Sequence, residues 1–318
     1  MVKIPKEFEE RYKSMFKENY DLFLEWSLKP LKKSIRVNTL KIEIKELKEK
    51  LEEKGIILER IPWIKEGFWV KWVEKKEDKE SKERYDLGNT IEHFLGYYYV
   101  QEAASMIPPL VLNPKEDEIV LDLTAAPGSK TTQIAQMMKN KGTIIANDKN
   151  YNRIKILAMN IQRMGITNTI ITTKNALNFK YLKLKFEKIL LDAPCSATGA
   201  IRKSFDALSN FKTKYIKNLS NLQKALIATA FEILEENGTL VYSTCSVDVE
   251  GNESVVNWLL NKFDNAKLEK IEIENLKKDK PILYWKNKEF DKEIEKTIRL
   301  MPYTNDTEGF FIAKIRKI

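Results

Sequence analysis

The chain has 318 residues, 43% of them apolar, with 55 Lys+Arg against 46 Asp+Glu, one His and two Cys. That length supplies one large domain or two around a buried core. No apolar run approaches the roughly 20 residues that span a bilayer, and the charged start, Met1 to Glu7, lacks the pattern of a secretory signal, so a soluble, cytoplasmic protein is expected.

Residues 6–28 read as a helix, with Phe8, Tyr12, Met15 and Phe16 at helical spacing and Pro30 closing the segment. Ser34 to Leu40 alternates like a strand. Residues 43–54 return to a helical period that stops at Gly55. Two β-rich pieces, Ile56–Ile61 and Phe68–Val73, complete a small α/β module. The almost wholly charged run Glu74–Arg84 reads as a solvated loop. His93 lies in an amphipathic stretch and is expected to be structural, which removes Ser-His-Asp hydrolysis. Cys195 and Cys245 are too few for a disulfide framework or a four-cysteine zinc site, and no metal is expected.

From about residue 117, strands and helices alternate. The strands are expected at Ile119–Leu123, Thr143–Asn147, Thr169–Thr172, Lys188–Leu191 and Thr239–Ser243. Helices fall between them, among them Thr131–Met138 and Asn152–Met164 with Gly165 as its stop. This pattern predicts an α/β fold with a mostly parallel sheet covered on both faces. Gly309 to Ile315 is one more strand, expected antiparallel at an edge. The expected division is residues 1–100 as the small N-terminal module and 101–318 as the larger domain.

Strand Ile119–Leu123 runs into a loop of small residues, Thr124-Ala125-Ala126-Pro127-Gly128-Ser129-Lys130, at the start of a helix. Small side chains there let a ligand approach the backbone at the carboxyl side of the sheet. Only one Gly is present, so neither a dinucleotide fingerprint nor a P-loop fits. Asp148 ends the next strand, placed to take a ribose, and together these favour an adenosine-type cofactor. A tight turn and a helix N-cap are the structural alternatives.

Two strands end in cysteine-bearing loops, Asp192-Ala-Pro-Cys195-Ser and Ser243-Thr-Cys245-Ser. If the strands are neighbours, both thiols and Asp192 converge on the cofactor side. Such a cluster suits chemistry on a pyrimidine: carbon 5 of cytosine is a poor nucleophile until a thiolate adds to carbon 6. An acid at nitrogen 3 eases the addition. Asp192 is expected to be that acid, with a raised pKa.

These loops, with Ile35-Arg-Val-Asn-Thr-Leu and Gly309-Phe-Phe-Ile-Ala-Lys, resemble in order and spacing the RsmB/NOP/Sun family of RNA cytosine-carbon-5 methyltransferases. The resemblance covers nearly the whole chain. It implies S-adenosylmethionine as cofactor, a Rossmann-like methyltransferase sheet, and a small RRM-like module before it that binds RNA. Carried over residue by residue, it makes Cys245 the nucleophile, implicates Cys195 in product release, puts Asp192 near nitrogen 3 and has Lys130 order the site. The cofactor would be held by Thr124 to Lys130, by Asp148 with Arg153 nearby, and by Asn175 and Asp192. Asn175 departs from the family's acid, yet an amide oxygen still accepts from an amino group. Thr124, Ser129 and Tyr303 are further departures.

An amino-methyltransferase is less well matched, since Asp192-Ala-Pro-Cys195 has a thiol where that chemistry commonly uses an aromatic ring. A nucleotide-dependent oxidoreductase would need a second phosphate-binding signal. A non-catalytic RNA-binding assembly factor remains the alternative from another class. The net charge of +9 fits a polyanionic partner such as RNA, or equally a hot-adapted, ion-paired exterior. Lys29–Arg36 and Arg202-Lys203 are candidates for phosphate contact or simply solvated surface. The continuation Ala200-Ile-Arg-Lys tilts the expected substrate to tRNA, with rRNA the alternative, and a monomer is the default.

Overall fold

A computed structural model of the protein describes residues 3–72 and 86–318. Val73 and the charged run Glu74–Arg84 lie outside the described residues. Among the described residues, no helix is long and apolar enough to cross a membrane.

The expected first helix is two, Lys6–Phe16 and Tyr20–Leu28, broken by a 3₁₀ turn at Lys17–Asn19 where Lys17 takes φ 48°. The break folds the second helix back on the first, so that Phe23 meets Phe16 at 4.7 Å and Tyr12 at 5.5 Å between ring centroids. Periodicity alone did not reveal it, because both halves keep a helical spacing. These rings share a core with Phe211 and Phe231, so the first helices pack beneath the large sheet.

Strands β1 (Ser34–Val37), β2 (Ile56–Arg60), β3 (Gly67–Trp72) and β4 (Tyr98–Val100) form a small antiparallel sheet in the order β2-β3-β1-β4. Helix Ile44–Glu52 lies between β1 and β2, and a short helix, Ile91–Phe94, precedes β4. This is the β-α-β-β-α-β connectivity of a split unit, as in RNA-recognition modules. In β2 the alternation buries Ile56 and Leu58 against Leu47 and Leu51 and leaves Ile57 and Glu59 outside. β1 stops at Val37, short of the expected Leu40, because Asn38 turns the chain; its amide donates to the carbonyls of Gly96 and Met164. His93 lies in the short helix, its ring 5.6 Å from Tyr98, in keeping with a structural role.

The large sheet contains β5 (Ile119–Asp122), β6 (Thr143–Asn147), β7 (Thr169–Thr172), β8 (Phe186–Asp192), β9 (Leu234–Thr244) and β10 (Ala266–Glu269). A two-stranded hairpin, β11 (Tyr284–Trp285) with β12 (Lys288–Glu289), stands apart, and β13 (Ile298–Leu300) and β14 (Phe310–Lys317) complete the set. The order is β10-β14-β9-β8-β5-β6-β7, with β5 to β9 parallel. Central strands are apolar on both sides: Leu121, Ile189 and Tyr242 face one core, Val120, Leu190 and Val241 the other. The order reverses at β5, which opens a crevice at the carboxyl ends. β14 is antiparallel, as expected, but it is not an edge. β10 and β13 both pair with its far side, supplied by residues 266–300, whose short pieces carry little strand signal.

Arg36 fastens the small sheet to the large one. It is fully buried and donates to the Ser129 carbonyl at 2.8 Å, Thr132 Oγ1 at 2.9 Å, Gln136 Oε1 at 3.3 Å and Gln101 Oε1. Burial, with no carboxylate in contact, lowers its pKa to about 9. Arg36 is therefore no phosphate contact. Arg202 is also internal, bonded to the carbonyls of Lys29, Pro30 and Thr307 and to Asp306. Lys203 stays exposed. We predict that Arg36→Met, which keeps the stem but strands these acceptors, costs at least about 2 kcal/mol in denaturant unfolding; a change below about 0.5 kcal/mol would contradict this role.

Candidate active site

The loop after β5 approaches bare backbone closely. Gly128 sits at φ +104°, and a Cβ there would lie 2.8 Å from Leu157 Cδ1; only glycine lets helix Ser129–Met137 start this close to helix Tyr151–Met164. The loop is anchored from behind, as Ala125 N donates to the Asn147 carbonyl at 2.7 Å and Asn147 Nδ2 to the Leu123 carbonyl at 3.1 Å. Asp148 follows β6. It does not cap the next helix, a task taken by Asn150, which accepts from Asn152 N and Arg153 N. Asp148 Oδ2 instead meets Arg153 Nη1 at 3.2 Å, and Arg153 also donates to the Ala126 carbonyl. Asn175 caps a 3₁₀ turn by accepting from Leu177 N at 3.1 Å.

β8 and β9 are parallel neighbours, with Asp192 opposite Ser243, so the convergence expected of their loops occurs. The Cys195 and Cys245 sulfurs stand 3.2 Å apart, both as free thiols. Asp192 Oδ2 accepts from Lys130 Nζ at 2.6 Å, and its Oδ1 from Ser243 Oγ at 2.7 Å. Lys130 Nζ also reaches Ser105 Oγ at 2.9 Å. Burial alone would lower the lysine's pKa, but the Asp192 charge outweighs it and the net shift is upward. Asp192 is thus ion-paired, not enclosed in an apolar pocket. The Cys245 thiol is pushed well up, first by its hydrogen bond to Cys195 and then by burial.

Two adjoining cavities meet here. One, about 280 Å³, is lined by Leu123, Asp148, Asn175, Pro194, Cys195 and Leu222. The other, about 400 Å³, is lined by Glu102, Asp122, Ser129, Lys130, Lys203 and Glu308. Thr124, Ala126, Arg153, Asp192 and Cys245 line both. Of the residues picked from the sequence, Gly128 alone among the loop, cysteine and acid positions lines neither, acting from behind. Tyr303, the departure near the C-terminus, also lies outside both.

Sequence reasoning missed Glu102, Asp122, Ser243, Asp248 and Glu308. Asp248 Oδ1 accepts from Arg11 and Tyr12, and its Oδ2 from Ser196, Thr198 and Ser246. Asp122 Oδ2 accepts from Thr131, whereas Oδ1 is buried without a partner; burial pushes this carboxyl up to about 7. The available signals were an acid ending a recognised strand, at Asp122, and an acid just before Gly309, at Glu308.

The residues present fit S-adenosylmethionine. Asp148 and Asn175 offer acceptors at the far end of the smaller cavity for ribose hydroxyls and an adenine amino group. Across the shared wall, on the side of the larger cavity, the orphaned Asp122 oxygen lacks the kind of donor that an α-ammonium provides.

Comparison with known proteins agrees. The family model for the 16S rRNA methyltransferase RsmB/F matches residues 109–316, and that for the N-terminal domain of 16S rRNA methyltransferase RsmF matches residues 4–103. The chain is 46% identical to the tRNA (cytosine(49)-C(5))-methyltransferase of Pyrococcus abyssi, over 99% of this chain and 97% of that one. It is 40% identical to ribosomal RNA small subunit methyltransferase F of Vibrio atlanticus, covering all of this chain but 64% of that longer protein. Among solved structures, NSun6 from Pyrococcus horikoshii with SFG superposes with a TM-score of 0.85 at 30% identity, covering 98% of each chain. With the sheet, the cradle and the paired cysteines in place, the chain belongs to the RsmB/F branch of the RsmB/NOP/Sun family of S-adenosylmethionine-dependent RNA methyltransferases.

Proposed function

We propose that the protein methylates carbon 5 of cytosine in RNA, with tRNA as the favoured substrate, through a covalent bond from Cys245 to carbon 6. The observation that carries this reading is the pair of sulfurs 3.2 Å apart beside Asp192, on the wall shared by the two cavities. The tRNA preference rests on the 46% identity, over 97% of its length, to a protein named as a tRNA enzyme. Residues 1–100 serve as the RNA-contacting module, and the larger cavity takes a base turned out of its stack. Thr124 to Lys130, Asp148, Arg153, Asn175 and Asp192 hold the cofactor.

Cys245 gives its thiol proton to water, to be regained when the sulfur leaves, and the sulfur bonds to carbon 6 of the base. The electron pair of the carbon 5–carbon 6 bond moves into the ring, and nitrogen 3 takes a proton through the Asp192–Lys130 pair. The ion pair seen at rest makes Lys130 the store of that proton and Asp192 its carrier. Bound S-adenosylmethionine supplies an electrophilic methyl group for the carbon so activated. Loss of the carbon-5 proton comes first; the ring double bond is then restored as the carbon 6–sulfur bond breaks and nitrogen 3 returns its proton. Cys195 stabilises the departing sulfur by donating across the 3.2 Å contact. The net exchange is one proton for one methyl group.

Mass spectrometry of RNA treated with protein and cofactor is expected to show 5-methylcytidine; methylation confined to the exocyclic nitrogen would refute the reading. Cys245→Ala should abolish both methylation and adduct, while Cys195→Ala should lose turnover and accumulate a denaturation-resistant RNA adduct. Equal activity of Cys245→Ala and the unaltered protein would remove the nucleophile.

The raised Cys245 pKa carries its own prediction. Only the thiolate reacts, so without substrate Cys245 should be alkylated by iodoacetamide at pH 7 more slowly than a free thiol of pKa about 8.5. The rate should climb between pH 7 and 9 and rise on Cys195→Ser, which weakens the sulfur contact. Peptide mapping would show this; faster alkylation than glutathione at pH 7 would contradict it.

A further inference from the structure

The reaction proposed above requires a base for the carbon-5 proton, and the acids of the cleft are not equally free to serve. Asp192 has both oxygens engaged, one by Lys130 and one by Ser243. Glu102 accepts the Glu308 amide at one oxygen, 3.1 Å, and the Ser105 amide at the other, 3.0 Å. Asp122 lines the same cavity, with one oxygen bonded to Thr131 and the other unpaired, but that free oxygen is the acceptor assigned above to the cofactor's α-ammonium. Glu308, on the turn that enters β14, is the remaining acid. It is 4% exposed and lines the cavity with Cys245, yet its Oε1 has no hydrogen-bond partner. Its backbone amide, held by Glu102, fixes where the side chain starts.

A buried carboxyl oxygen left unpaired costs free energy, and such groups persist where chemistry uses them. Burial raises the Glu308 pKa, and the neighbouring Glu102 raises it further, against the opposing effect of Lys203 and Lys130. A carboxylate made more basic in this way is better matched to a carbon acid than an ordinary one.

We propose that Glu308 is the base that removes the proton from carbon 5 after the methyl group has been gained. The proton goes to Oε1. The electron pair of the carbon–hydrogen bond is held first in the ring, as a carbon 4–carbon 5 double bond; in a second step it becomes the carbon 5–carbon 6 double bond as the carbon 6–sulfur pair returns to Cys245, and Glu308 passes its proton to water. Cys195 is left with the departing sulfur alone. The inference rests on the carbon-5 reading.

The experiment uses RNA with tritium at cytosine carbon 5 and cofactor with a ¹⁴C methyl group. The unaltered protein should release one tritium per methyl transferred; methylation without tritium release would remove the carbon-5 reading itself. Glu308→Gln should place ¹⁴C in a covalent protein–RNA adduct and retain the tritium, with release slowed at least about 100-fold. Cys195→Ala should release tritium while its adduct persists. Glu308→Ala should regain tritium release with added formate, a rescue that a merely structural role does not allow. Tritium release by Glu308→Gln matching its methyl transfer would overturn the inference. So would tritium retained in Cys195→Ala, no formate rescue, or loss of the folded state in both Glu308 variants.

Discussion

One buried carboxylate, Asp248, holds the reactive centre together. It gathers Arg11 and Tyr12 from the first helix, Ser196 and Thr198 from the loop that carries Cys195, and Ser246 from the loop that carries Cys245. A charge taken out of water is tolerated only when its lone pairs are met, and here five side chains meet them. The result is a knot between segments some 240 residues apart in the chain. Backbone completes it: Gly199 N donates to the Cys245 carbonyl at 3.0 Å, and Gly309 N to the Gly199 carbonyl at 2.9 Å. A Cβ on Gly199 would fall 2.1 Å from the Gly309 carbonyl oxygen, so any side chain there would drive the cysteine loops and β14 apart. The sulfur–sulfur contact is the product of this knot, and the first helices, though distant from the cavity, are part of it.

Around that contact, similar acids are given different tasks by their surroundings. Asp192 is paired with an ammonium, that of Lys130, the arrangement the proposed proton carrier requires. Asp122 is buried with one oxygen free, and burial pushes its carboxyl up to about 7, as suits the cationic donor proposed for it. Glu308 keeps one oxygen open toward the cavity. Environments that push like groups apart are how one cleft runs acid and base steps together. Cys245 follows the same logic: its hydrogen bond to Cys195 and its burial raise the thiol's pKa and favour the protonated form, which would keep the proposed nucleophile unreactive at rest.

Much of this was legible in the sequence, because strand alternation and motif spacing are local signals. The parallel sheet, the cofactor loop, Asp148 and the two cysteine loops all follow from residues within a few positions of one another. What was hidden depends on contacts distant in sequence. The break at Lys17 shows only once Phe16 and Phe23 are seen to pack. Arg36 and Arg202 look like solvated cations until their carbonyl partners, tens of residues away or more, are known. β10 and β13 are too short, at four and three residues, to announce themselves, so β14 looked like an edge. Asp248, Glu102 and Glu308 acquire meaning from what they face across the fold, which no spacing encodes.

The central claim is that the knot presents Cys245, and not its neighbour 3.2 Å away, to carbon 6 of the base. RNA carrying 5-fluorocytosine tests it most directly, since fluorine at carbon 5 cannot leave as a proton and the methylated adduct is trapped. Peptide mapping of the trapped complex should find the nucleotide on Cys245, with one added methyl group. Linkage to Cys195, or the absence of any covalent species, would contradict the account.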